Sequence, residues 1–275
     1  MADALNALLA IHENATARWN FSSAVGTLLT SPGGIGNGVS LTYSFYEAPP
    51  PSYLESISGF QPFAETTLGM RTAVAAALAA IEDVCNLTFS EAAPSSTGQI
   101  TFGMNAQTDS GGYAYYPSYS YSYQNEVITG VTEQPRAGDV WIATQAWEPG
   151  DFTAGGAGYE TLLHEIGHAV GLKHPFAGTY TLETALDQNA FTVMSYTEAP
   201  HSVLVEAGDN FYTYRYLGMA SPMPGDILAL QYLYGANMAA HADDDRYQWE
   251  DREIFFETLW DGGGIDLIDC GNQTL

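Results

Sequence analysis

Polar and apolar positions alternate along Val39–Phe45, so that Val39, Leu41, Tyr43 and Phe45 share one side of an extended chain. That pattern predicts a strand with one face turned inward. A Gly/Ser/Pro-rich patch at 31–38 punctuates a turn before it, and Pro49-Pro50-Pro51 breaks the structure after it. Residues 67–84 then carry Ala and Leu with few breakers and predict a long helix, its alanines suited to close packing on a sheet. The β-rich runs 86–89, 99–102 and Asp139–Ala143 predict three further strands of that sheet. Between the last two lies a tyrosine-rich tract, 113–123, which reads as stacked aromatics on a strand or as a mobile loop, with no function assigned to it by composition.

Composition supports a packed core, since 46% of the 275 residues are hydrophobic and 13% aromatic. A length of 275 residues fits one large or two small domains, at about 100–200 residues each. Seven Lys plus Arg against 32 Asp plus Glu give a formal charge of -25, which repels nucleic acid and anionic membrane surfaces. The acidic excess keeps a fold soluble and also favours calcium or basic peptides. The first residues lack a basic run, and Asn6 interrupts their short apolar stretch, so no signal peptide is expected there. No membrane span is expected either. Cys85 and Cys270 make no disulfide framework, and whether they pair is open.

The chemistry is concentrated in His164-Glu165-Ile166-Gly167-His168-Ala169-Val170-Gly171-Leu172-Lys173-His174. His164 and His168 are four apart, so on a helix both rings leave one face and can grip one ion. Gly171 takes a positive φ at little cost, which lets the helix stop and the chain double back to present His174 as a third ligand before Pro175. Glu165, beside the first ligand, is left free as the general base for a zinc-activated water. A chance grouping of surface or core histidines is the alternative, but half of the six histidines fall in this one stretch, while His12, His201 and His241 stand apart without ligand spacing.

This segment resembles the long zinc motif of the metzincin metallopeptidases, and Val193-Met194-Ser195-Tyr196 resembles their Met-turn. Within that clan the pair is similar to the serralysins, secreted bacterial proteases with a calcium-binding C-terminal β-roll. Further matches are the run from Pro224 to Asn237 and Asn86-Leu87-Thr88-Phe89 after the long helix. The resemblance runs from about Trp19 to the chain end and is strongest from Glu160 to Asn237.

The resemblance implies an α+β, two-lobed zinc endopeptidase domain: a mixed five-stranded-type sheet with long helices, the zinc helix at the cleft floor, and a small C-terminal lobe. It divides the chain into residues 1–18, an N-terminal arm or pro-segment; 19–240, the catalytic domain, with an upper lobe to Gly171 and a lower lobe from Leu172; and 241–275, a C-terminal extension. Tyr196 is implied as a further zinc ligand that stabilises the oxyanion, a buried tyrosine with a satisfied hydroxyl being the alternative. Met194 is expected to underlie the ligands without binding the metal. Gly112, Tyr113, Ala114 and Tyr115 fall where the family has a substrate-binding edge strand, although a structural hairpin fits equally.

The stretch Trp260 to Asp269 resembles the opening of a β-roll, but the pattern occurs once and cannot form a roll within this chain, which reads as truncated or repeat-poor. Asp261, Gly263 and Asp266 are candidate calcium ligands, with a Gly-rich turn as the equal alternative. The expected partners are protein or peptide substrates, the expected state is a monomer, and the family comparison implies export by a C-terminal signal if the full protein extends further. The competing reading is an inactive, zinc-stabilised adhesion or interaction module of a larger secreted protein. A zinc hydrolase of non-peptide amides is a third reading.

Overall fold

A computed structural model describes residues 2–12, 15–56, 62–94, 96–144, 147, 150–208, 210–251, 253 and 256–274. Met1 and Leu275 lie outside the described residues, and so does the side chain of His12. The chain is α+β. Its main sheet runs through β1 (Val39–Phe45), β2 (Leu87–Glu91), β3 (Ile100–Asn105), β4 (Gly112–Ala114) and β5 (Asp139–Ala143), in the spatial order β2-β1-β3-β5-β4. The first four in that order are parallel, and β4 runs antiparallel to β5 at the edge. The two-residue strand Phe63–Ala64 also pairs with β3. Every residue of β3 and β5 is buried, as expected of central parallel strands covered on both faces.

Helix α1 (Leu68–Val84) begins at Thr67, whose hydroxyl accepts the Met70 N–H. Met70, Ala73, Val74, Ala77, Leu78, Ile81 and Val84 recur at helical spacing and form its buried stripe. The small alanines let α1 lie close against α2 (Ala157–Ala169), while α3 (Pro224–Tyr234) packs against both α1 and the N-terminal helix Ala2–Leu8. Trp19 joins these layers: its indole donates to the Ala169 carbonyl at 2.7 Å, and the Tyr234 hydroxyl donates to Val170 at 2.7 Å. Residues 7–10 are buried, and the Leu9–Leu172 bridge lays this stretch along the chain leaving α2.

The strands starting near Asn86 and Gln99 begin one residue later and run further than their sequence runs, to Glu91 and Asn105. Pro51 opens the short helix Pro51–Ser56 instead of only ending structure, because its missing N–H costs nothing at a first helical position. The tyrosine tract splits: Gly112–Ala114 joins the main sheet, and Tyr119–Gln124 pairs with Val127–Glu133 as a separate hairpin. Tyr119 stacks on Phe21 there. Cys85 is buried and Cys270 exposed, and both thiols are free. No helix of the described residues is long and apolar enough to cross a membrane.

Candidate metal centre

Helix α2 ends in a turn that builds the site. Leu172 N–H bonds back to Gly167 O at 2.8 Å, and Gly171 N–H to His168 O at 3.0 Å, the paired bonds of a Schellman cap. Gly171 sits at φ 110, and a Cβ there would lie 2.1 Å from the Ala17 carbonyl, so only glycine fits. The reversal returns His174 to the helix face that carries His164 and His168. The three Nε2 atoms converge, with His174 3.1 Å from His164 and 3.0 Å from His168.

Those short separations are not a hydrogen-bond network. His164 Nδ1 lies 2.7 Å from the Val193 carbonyl, and His168 Nδ1 lies 2.9 Å from the Leu172 carbonyl. A carbonyl only accepts, so each Nδ1 carries the proton and each Nε2 presents a lone pair. One His174 nitrogen cannot satisfy both. Tetrahedral zinc with nitrogens at about 2.0–2.1 Å spaces them about 3.3 Å apart, close to what is seen, so the donor set fits that ion. Burial pushes His164 down to about 4 and His168 well below the usual imidazole range, and it lowers His174 as well, with Lys173 adding to the effect. Neutral rings are the form a metal needs.

Glu165 points off the ligand face and is buried against β4, where a Cβ on Gly112 would sit 2.8 Å from its Cγ. Its Oε2 is buried without a hydrogen-bond partner among the described residues. Burial lifts this carboxyl to about 8. A buried carboxylate oxygen that lacks a donor suits a proton-transfer group better than a structural one. The Tyr196 hydroxyl lies 3.0 Å from His174 Nε2, so it joins the same cluster, although the residue is 69% exposed. Met194 is fully buried beneath the helix, its sulfur occupying the space that a Cβ on Gly167 would need.

Other positions were not evident from spacing. Phe176 stacks on the His174 ring at 5.1 Å, and Tyr116 meets His168 edge-on at 5.4 Å. Asp226, fully buried at the start of α3, accepts from Thr192 Oγ1 at 2.6 Å, Val193 N–H at 2.9 Å and Met223 N–H at 2.8 Å. It thereby fixes the residue whose carbonyl orients His164. Only its place in the first turn of a Pro-led helix marks Asp226 in the sequence.

A cleft of about 510 Å3 opens beside the cluster, lined by Gly112, Trp147, His164, Glu165, Tyr196 and Tyr216 among others. Its wall is tied together by Glu160, one helical turn before His164, which accepts from Asn189 at 2.9 Å and from the Tyr216 hydroxyl at 3.3 Å. Strand β4, holding Gly112, Tyr113 and Ala114, is the sheet edge at this cleft, with Tyr115 directly after it.

Asp261 and Asp266 gather elsewhere, with Asp245. Their carboxylates are held by local turns: Gly263 N–H and the Tyr247 hydroxyl donate to Asp261, which lowers its pKa, and Asp245 N–H donates to Asp266. His241 stands 3.7 Å from Asp245. The Gly263 N–H belongs to this local turn.

No family model matches the chain. It is 31% identical to the serralysin of Photorhabdus sp. (strain Az29) over 259 residues, covering 85% of this chain and 49% of that protein. It is 32% identical to the metalloprotease AprA of Pseudomonas entomophila (strain L48), covering 86% and 50%, and 30% identical to serralysin B of Dickeya chrysanthemi, covering 85% and 49%. The chain thus spans about half the length of the curated relatives it matches. Over most of its own length, the sequence of this chain is serralysin-like.

Proposed function

We propose that this chain is the catalytic part of a secreted zinc-dependent endopeptidase, built as a two-lobed metzincin domain over residues 19–240. The convergence of three imidazole nitrogens, lone pairs inward, beside a buried carboxylate whose Oε2 has no partner among the described residues carries this reading. His164, His168 and His174 would hold the ion, with Tyr196 as a further ligand. Zinc bound there would supply Lewis acidity and would lower the pKa of a water from near 16 to about 7.

Glu165 takes the proton of the attacking water at Oε2 and returns it to the leaving amine. That oxygen is buried and has no hydrogen-bond partner among the described residues, which leaves it free for the transfer. The Tyr196 phenol, 3.0 Å from His174 Nε2, donates to the oxygen that gains charge. The substrate lies along β4, adding to the edge at Gly112–Ala114 through its own backbone, so recognition depends little on its side chains.

Purified chain and Glu165→Ala are compared for zinc content and casein hydrolysis. Both should bind one zinc, with hydrolysis lost in the variant. If both bind zinc and neither cleaves, the endopeptidase reading of this chain is wrong.

A further inference from the structure

Beside the cleft a hairpin of Val203–Ala207 and Tyr212–Tyr216 projects from the body. Its register pairs Val203 with Tyr216, Val205 with Tyr214 and Ala207 with Tyr212. Alternate residues of a strand share a face, so these six side chains form one apolar and aromatic surface. Leu204, Glu206, Thr213 and Arg215 occupy the other side. The apolar face is open to water: Val203 is 44% exposed, Val205 52%, Tyr212 66% and Tyr214 71%. Contiguous exposed apolar surface of this kind marks an interaction site.

The inner end of the same face identifies the occupant. Tyr216 lines the metal cleft, and its hydroxyl accepts from Asn189 at 2.7 Å and reaches Glu160. The aromatic row therefore starts in the cleft wall and leads outward for five residues, roughly 16 Å of extended chain. We infer that this hairpin face is a substrate-gripping arm, which takes the apolar side chains of an unfolded polypeptide several residues from the bond being cut. Tyrosine suits the task because its ring offers broad contact at little entropic cost, while its hydroxyl stays solvated. The inference rests on the endopeptidase reading for the identity of its ligand.

The test is a Tyr212→Ser/Tyr214→Ser double variant, which alters two exposed side chains outside the catalytic groups. Binding is measured by fluorescence anisotropy in the Glu165→Ala background, using a labelled hexapeptide and the same peptide lengthened at either end by five residues containing Phe and Leu. One lengthened peptide should bind at least tenfold more weakly to the double variant, with the hexapeptide unchanged. Equal affinities in variant and parent overturn the arm, and so does a parental dimer that the variant dissolves, which would give the face to a second copy. Hexapeptide cleavage by the chain with Glu165 intact reports separately on the endopeptidase reading.

Discussion

Two groups of metal-competent side chains stand among the described residues, and they are held in opposite ways. The imidazoles of His164, His168 and His174 are positioned by long-range structure: a capped helix, the Val193 carbonyl, and Asp226 behind it. The carboxylates of Asp245, Asp261 and Asp266 are at the surface and are fixed by neighbouring turns and one tyrosine. Both groups bring ligand atoms within 4.8 Å of one another. Proximity therefore does not distinguish them. Pre-organisation with burial does, because two of the three imidazoles are buried and hydrogen-bonded in place, whereas none of the three carboxylates is buried.

The contrast is most sharply broken at the ligands. His168→Ala removes one of three imidazoles and is expected to weaken zinc binding on the order of a thousandfold, read by competition with a chromophoric chelator. Next comes the support. Asp226→Ala orphans two buried N–H groups and a hydroxyl, so unfolding free energy should fall by about 2–4 kcal/mol in urea titrations, and zinc affinity by about tenfold or more. A stability loss with unchanged zinc affinity would detach Asp226 from the metal centre.

A smaller effect follows from buried acids. Burial lifts Asp139 to about 7, against the hydroxyls of Tyr53 and Tyr46 that donate to it, and lifts Asp226 to about 6. The folded state keeps protons that the unfolded state has released, so this contribution is fully present below about pH 4. It is lost as pH rises through 6 to 7, at up to about 1.4 kcal/mol per pH unit for each group. Asp139→Asn should flatten that slope between pH 4.5 and 7.5, measured by urea midpoints. Least of all, Asp261→Asn should leave zinc content and the urea midpoint unchanged, and calcium titration of the surface cluster should give at best millimolar affinity.

Local features carried much of this structure in the sequence. The four-residue histidine spacing and the glycine that ends α2 are visible because they act within one helix and one turn. The alternation in Val39–Phe45 and the run Asp139–Ala143 coincide with β1 and β5 for the same reason. What stayed hidden joins distant segments. Asp226 reaches back 33 residues to Val193, and Glu160 meets Asn189 and Tyr216 only when α2, a loop and a hairpin fold together. The polar alternation of the 203–216 hairpin was readable in principle, since Tyr212, Tyr214 and Tyr216 recur with period two, but nothing local tied it to the cleft.

The central claim is that His164, His168 and His174 form a pre-organised zinc centre, and zinc-edge X-ray absorption of the loaded chain tests it most directly. The expected spectrum has three imidazole nitrogens at about 2.0–2.1 Å in a low-coordinate site, altered by His168→Ala and indifferent to Asp261→Asn. A spectrum dominated by carboxylate oxygens, or one that His168→Ala leaves unchanged, would contradict it.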